Sequence, residues 1–180
     1  MENRVLVIGD ELFGPKGEAA NRFVEAVLCR EPSRPIQFSV NVPVAVSLSQ
    51  IKARLSSDVI GKNAGRIIMG LGLRELNHGG TDGASIASLY ETLVNELVNK
   101  TQSRLFLLTI PPEMFPIAVS EVEYLNTMIR EFCAANAPRT KLLDFAEFAE
   151  TFRKNRWNAA NSGVAFLWKT ALPRRFAACF

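Results

Sequence analysis

The sequence predicts an α/β fold: a three-layer α/β/α sandwich built on a five-stranded parallel sheet, of the flavodoxin-like type. Three observations carry this expectation. Short β-like runs alternate with longer segments of helical periodicity from one end of the chain to the other. Several of the runs are apolar at every position, as in Val5–Ile8 and Leu105–Leu108, which suits strands covered on both faces. The chain has 180 residues, of which 48% are apolar and 22% charged, and that is the size and mix of a single domain, taken as 1–180.

The elements follow in order. Strands are expected at Arg4–Ile8, Pro35–Asn41, Gly65–Met69, Arg104–Ile110 and Thr140–Asp144. Between the first two, Ala20, Phe23, Val24 and Val27 recur at helical spacing within 17–29. A shorter helix should begin near Ser47 or Ser49 and run through Ile51 and Leu55. The glycine-rich loop 79–83 opens a helix over 84–99, whose apolar stripe is Ile86, Leu89, Leu93 and Leu97. A further helix spans 120–135 on Val122, Leu125, Ile129 and Phe132, with Ser120 and Glu123 spaced as a capping box. From Val164, the series Trp168, Leu172, Phe176 and Phe180 forms one stripe of a last helix, bent at Pro173.

Composition narrows the chemistry. A single histidine, His78, excludes any mechanism that needs two imidazoles, including HExxH zinc sites. Three widely spaced cysteines (Cys29, Cys133 and Cys179) form no CxxC pair and read as small buried residues in a reducing compartment. No basic n-region followed by a long apolar stretch opens the chain, and no run reaches the length of a membrane span. A cytoplasmic location is expected. Gly70 and Gly72 are followed by no Lys-Ser/Thr, so they do not make a P-loop. No cofactor and no metal are expected.

In open α/β sheets ligands sit outside the carboxyl ends of the strands, so the turns that follow the strands matter most. The first is Gly9-Asp10-Glu11-Leu12 and the third is Gly70-Leu71-Gly72-Leu73-Arg74-Glu75. Together with Asn41–Ile51, Tyr124–Glu131 and Leu143-Asp144, these blocks resemble the SGNH (GDSL-type) esterases and lipases. That family opens with a strand and Gly-Asp-Ser, places an oxyanion-hole glycine in its second block, ends its third strand in Gly-x-Asn-Asp and closes on Asp-x-x-His. The resemblance aligns Glu11 with the nucleophilic serine, Ala45 with the glycine and Arg74 with the asparagine. Ser162 and Ala165, within Ser162-Gly163-Val164-Ala165, align with the final aspartate and histidine.

The resemblance thus implies the family's fold without its serine chemistry, because nucleophile, side-chain oxyanion donor, base and orienter are all replaced and a triad works as a unit. No catalytic residue is assigned. The reading is a non-catalytic binding or assembly module. Glu11 and Arg74 are expected to pair across neighbouring strand ends. The alternative is a hydrolase rebuilt in the same crevice, with Glu11 as nucleophile or base, Arg74 as an anion clamp and His78 nearby, in which Asp10 and Glu75 add a carboxylate pair or hold a divalent cation.

Charge adds a second lead. Residues 151–180 contain Arg153, Lys154, Arg156, Lys169, Arg174 and Arg175 and no acidic side chain, among six aromatic residues. They are expected to form a solvated helix face or a surface for an anionic partner, either protein or nucleic acid. RNA is the nucleic acid favoured by analogy, since the resembled family includes a degenerate RNA-binding member. The net charge of +3 does not force a nucleic-acid partner, and nothing in the sequence fixes an oligomeric state.

Overall fold

The structure is a computed structural model that describes residues 4–13, 21–22, 24–25, 36–41, 46–78, 81–112 and 118–156, without the side chains of Glu11, His78 and residues 152–156. Five strands, β1 (Arg4–Gly9), β2 (Gln37–Asn41), β3 (Arg66–Gly70), β4 (Arg104–Leu108) and β5 (Thr140–Leu143), form one parallel sheet in the order β2-β1-β3-β4-β5. This is the flavodoxin-like order expected from the sequence, with the reversal of direction at β1.

The register explains the apolar runs. Val7 and Ile8 of β1, Met69 of β3 and Leu105, Leu107 and Leu108 of β4 are wholly buried, as residues on both faces of a central parallel strand must be. β2 lies at the sheet edge, and its side chains are half-buried or exposed. Helices α1 (Leu48–Ala53) and α2 (Leu55–Asp58) cross from β2 to β3. Helices α4 (Gly83–Lys100) and α5 (Val119–Ala135) link β3 to β4 and β4 to β5. α4 packs on both α1 and α5, so the three share one face of the sheet. Part of the β1-to-β2 connection is also described. Asn21, Arg22, Val24 and Glu25 within it are helical, and Val24 packs on the core.

Four details differ from the sequence reading. Ser47, rather than Ser49, starts the short helix, with a reciprocal cap to Gln50, and the helix breaks at Arg54 instead of continuing through Leu55. The long helix of the fourth crossover starts at Val119, so Ser120 lies inside its first turn and bonds to Glu121 rather than capping. Residues Leu73–His78 form a helix, α3, which the sequence reading did not place and which ends at His78. A twelve-residue helix, α6 (Phe145–Arg156), follows β5 where the sequence reading places no element; Phe145 and Ala149 are buried and Phe148 packs against the core.

Cys133 is buried and free, with its thiol pushed up to about 11 by burial against a weaker opposing bond to the Thr140 hydroxyl. It behaves as the small buried residue expected, whereas Cys29, Cys179 and the C-terminal stripe lie outside the described residues. No described helix is long and apolar enough to cross a membrane.

Candidate functional site

The switch point of the sheet lies between β1 and β3, where Gly9 and Gly70 are register partners and the chain leaves both strands at the same edge. Asp10 is the first residue beyond β1 and is buried. Its backbone N–H donates to the Gly70 carbonyl at 3.0 Å, which extends the ladder by one bond. Its carboxylate then accepts three backbone N–H groups, from Leu12 on Oδ1 at 2.9 Å and from Gly72 and Leu73 on Oδ2 at 2.8 Å each. One side chain therefore ties the exit of β1 to the exit of β3. Gly72 adopts φ +112°, a region that a side chain would strain, and this turns its N–H toward Asp10.

The turn after β1 folds inward. Residues Glu11–Phe13 form one 3₁₀ turn, closed by the Phe13 N–H on the Asp10 carbonyl at 3.1 Å. It buries Leu12 and Phe13 almost completely. The Phe13 ring lies on the two register glycines: a Cβ at Gly9 would stand 2.3 Å from the ring, and one at Gly70 would stand 2.6 Å from it. The space above the first and third strands is thus filled from within the chain.

Arg74 lies in the first turn of α3, half-exposed, at the same edge as the β1 turn. Among the described residues it makes no hydrogen bond or ion pair. The Glu11 carboxylate lies outside the described side chains, so the expected pairing remains a proposal, although the adjacency of β1 and β3 on which it rests is present. Ala45, Ser162, Ala165, Lys169, Arg174 and Arg175 lie outside the described residues, as do the side chains of Arg153, Lys154 and Arg156 and of His78.

Glu75 does not meet Asp10 as a carboxylate pair. Its Oε1 accepts the Leu48 N–H at 2.6 Å, at the start of α1, and its Oε2 is buried without a partner among the described residues. Among the described residues no cluster of three or more His, Cys, Asp or Glu side chains could hold a metal ion.

The exits of β4 and β5 are held in the same way. Asn126 on α5 is fully buried and clamps the Ile110 peptide, accepting its N–H at 2.8 Å and donating to its carbonyl at 2.7 Å. The Thr109 hydroxyl donates to Asp144 at 2.8 Å and accepts the Ala146 N–H at 3.0 Å. Asp144 also accepts the Glu147 N–H at 3.1 Å, as an N-cap does, and is forked by Arg130 at 2.8 and 3.1 Å. Burial pushes the Asp144 carboxyl up. Its bonds from Arg130, the Glu147 N–H and the Thr109 hydroxyl outweigh that and hold it below its ordinary value. The same contact raises Arg130 above its own. Asn126 and Arg130 fall within the resembling block Tyr124–Glu131 and Thr109 within an expected strand, but the sequence assigned them no role, because a polar residue between apolar neighbours reads equally well as solvated.

No family model matches the sequence, and no curated protein is significantly similar to it. Solved structures do match. An α/β hydrolase from the metagenome of Lake Arreo in Spain superposes with a TM-score of 0.74 at 13% identity, covering 95% of this chain and 94% of that one. A catalytic mutant of the acetylxylan esterase Axe2 from Geobacillus stearothermophilus gives 0.74 and 13%, covering 97% and 94%. A candidate lipolytic protein of the G-D-S-L family from Desulfitobacterium hafniense gives 0.74 and 13%, covering 99% and 100%. The chain has the α/β fold of GDSL-type esterases, and at this identity the likeness extends to the fold alone.

Proposed function

We propose that the chain is a catalytically silent domain of the SGNH-esterase fold that works as a binding or assembly module. The observation that carries this reading is the set of residues at the matched positions, Glu11, Ala45, Arg74, Ser162 and Ala165, where the resembled family has its nucleophile, oxyanion donors, orienter and base. Acyl transfer needs a hydroxyl or thiol next to a base, facing backbone or side-chain donors that are free to receive an oxyanion. At the switch point the N–H groups of Leu12, Gly72 and Leu73 are all taken by the Asp10 carboxylate. Phe13 and Leu12 cover the strand ends from inside.

In this reading the anionic partner, RNA or an acidic protein, meets the basic aromatic C-terminal segment through Arg153, Lys154, Arg156, Lys169, Arg174 and Arg175. Lys and Arg would pair with phosphates there, and aromatic side chains would stack on bases. The support is compositional: six cations and no carboxylate in thirty residues.

The test is hydrolysis of p-nitrophenyl acetate by the purified protein, with Arg74→Gln as companion. Rates equal to the buffer background for both proteins fit the proposal. Turnover that Arg74→Gln abolishes would instead establish an esterase with an altered site around Glu11, Arg74 and His78. The partner is sought by pull-down from the source cell with and without nuclease, where loss of the captured material on nuclease treatment supports RNA.

A further inference from the structure

A groove runs along the seam between α4 and α5. Both helices lead from one parallel strand to the next on the same face of the sheet, so they lie side by side and point the same way. Their first turns are in backbone contact: a Cβ at Gly83 would stand 2.9 Å from the Glu121 Cα. Further along, α4 contributes the small side chains of Ala84, Ala87 and Ser88. α5 contributes Tyr124, Met128 and Phe132, one row at i, i+4 and i+8. Low side chains facing tall ones open a groove of about 720 Å³.

Two independent features mark it as a docking surface. The first is exposed apolar area. Three large apolar side chains are exposed among the described residues, and two of them, Val119 at 44% and Tyr124 at 55%, stand in the first two turns of α5. Apolar surface gathered in this way is characteristic of a contact site. The second feature is charge. Glu91 on α4 and Glu123 and Glu131 on α5 line the groove, and no lining residue is a cation, in a chain whose net charge is +3. All three carboxylates are exposed, and among the described residues none makes a hydrogen bond or ion pair. Arg130 feels the charge of Glu123, but it is already forked by Asp144. Glu123, Thr127 and Glu131 form a row beside the apolar one, which sets the two α5 carboxylates about 12 Å apart along the helix. Glu91 faces them from the other bank.

We propose that the α4–α5 groove binds an amphipathic helix of a partner protein. Its apolar stripe packs on Tyr124 and Met128. Its Lys or Arg side chains, about seven or eight residues apart, pair with Glu123 and Glu131 and, across the groove, with Glu91. Charge selects this occupant, because three carboxylates without a cation repel nucleic acid and acidic proteins alike. The groove is separate from the carboxyl edge and from the basic C-terminal segment, so the proposal stands whichever way those are read.

The experiment is fluorescence anisotropy of a labelled synthetic peptide of Leu and Lys, patterned as an amphipathic helix of about 16 residues to match the groove, titrated with the full chain at fixed ionic strength. Saturable binding is expected. It should weaken about tenfold in the triple variant Glu91→Gln, Glu123→Gln, Glu131→Gln, and by a similar factor in Tyr124→Ala. All four side chains are exposed, so both variants should melt with the wild type. A peptide of the same composition, scrambled to break the helical period, should bind about tenfold more weakly or not at all. The proposal is overturned by the absence of saturable binding, by equal binding of the scrambled peptide, or by an affinity unchanged in either variant. A wild-type dimer that Tyr124→Ala converts to a monomer would overturn it too, by making a second copy of this chain the occupant.

Discussion

Replacing Asp10 by alanine removes the acceptor for three buried backbone N–H groups at once. Each stranded donor costs about 1–3 kcal/mol, and a water entering the small void recovers part of that. The expected loss is about 3–5 kcal/mol, a large share of the roughly 5–15 kcal/mol that holds a domain folded. Asp10→Asn separates the contributions. Its single oxygen can serve Gly72 and Leu73, which share Oδ2, but its amide then faces the Leu12 N–H that Oδ1 now accepts. One donor is stranded instead of three, so about 1–3 kcal/mol is expected. Urea unfolding followed by far-ultraviolet circular dichroism measures both, with an unchanged slope showing that only stability moved. A loss below about 1 kcal/mol in Asp10→Ala would refute the reasoning, since a single unmet buried donor already costs that much.

Two further perturbations test the interior and the β5 exit. Tyr90 is wholly buried with its hydroxyl unpartnered among the described residues, and burial, with Cys133 and Asp10 nearby, drives its ionisation far above the usual range. Tyr90→Phe should therefore leave stability unchanged or raise it by up to about 1–2 kcal/mol, read as a higher melting temperature, and a loss of similar size would show a hidden partner. Asp144 is held below its ordinary value in the folded chain, so its ionised form contributes stability above the unfolded value near pH 4 that is lost as pH falls through the lower folded value. Asp144→Asn should then be less stable than the wild type at pH 7 and converge with it in strong acid; a constant difference across that range would contradict the assignment.

The architecture was legible because central parallel strands leave few polar positions. Val5–Ile8 and Leu105–Leu108 cannot be half-solvated, and alternation with helical periods then leaves a doubly covered sheet. The adjacency of β1 and β3, and with it the shared edge of the Glu11 and Arg74 turns, followed from the strand order. The work done by Asp10 was not legible. An aspartate after a strand reads equally as a loop residue or a catalytic one, and the donors it serves lie 62 and 63 residues away. The burial of Leu12 and Phe13 has no local mark, since nothing local says that Gly9 and Gly70 stand side by side and leave room for a ring.

The central claim is that the fold of an esterase is present here without a reactive serine. It is tested most directly by exposing the purified protein to a fluorophosphonate probe and weighing it intact. The account predicts an unchanged mass after prolonged exposure at neutral pH. Stoichiometric addition of one phosphonyl group, traced by peptide mapping to a serine at the carboxyl edge of the sheet, would contradict it.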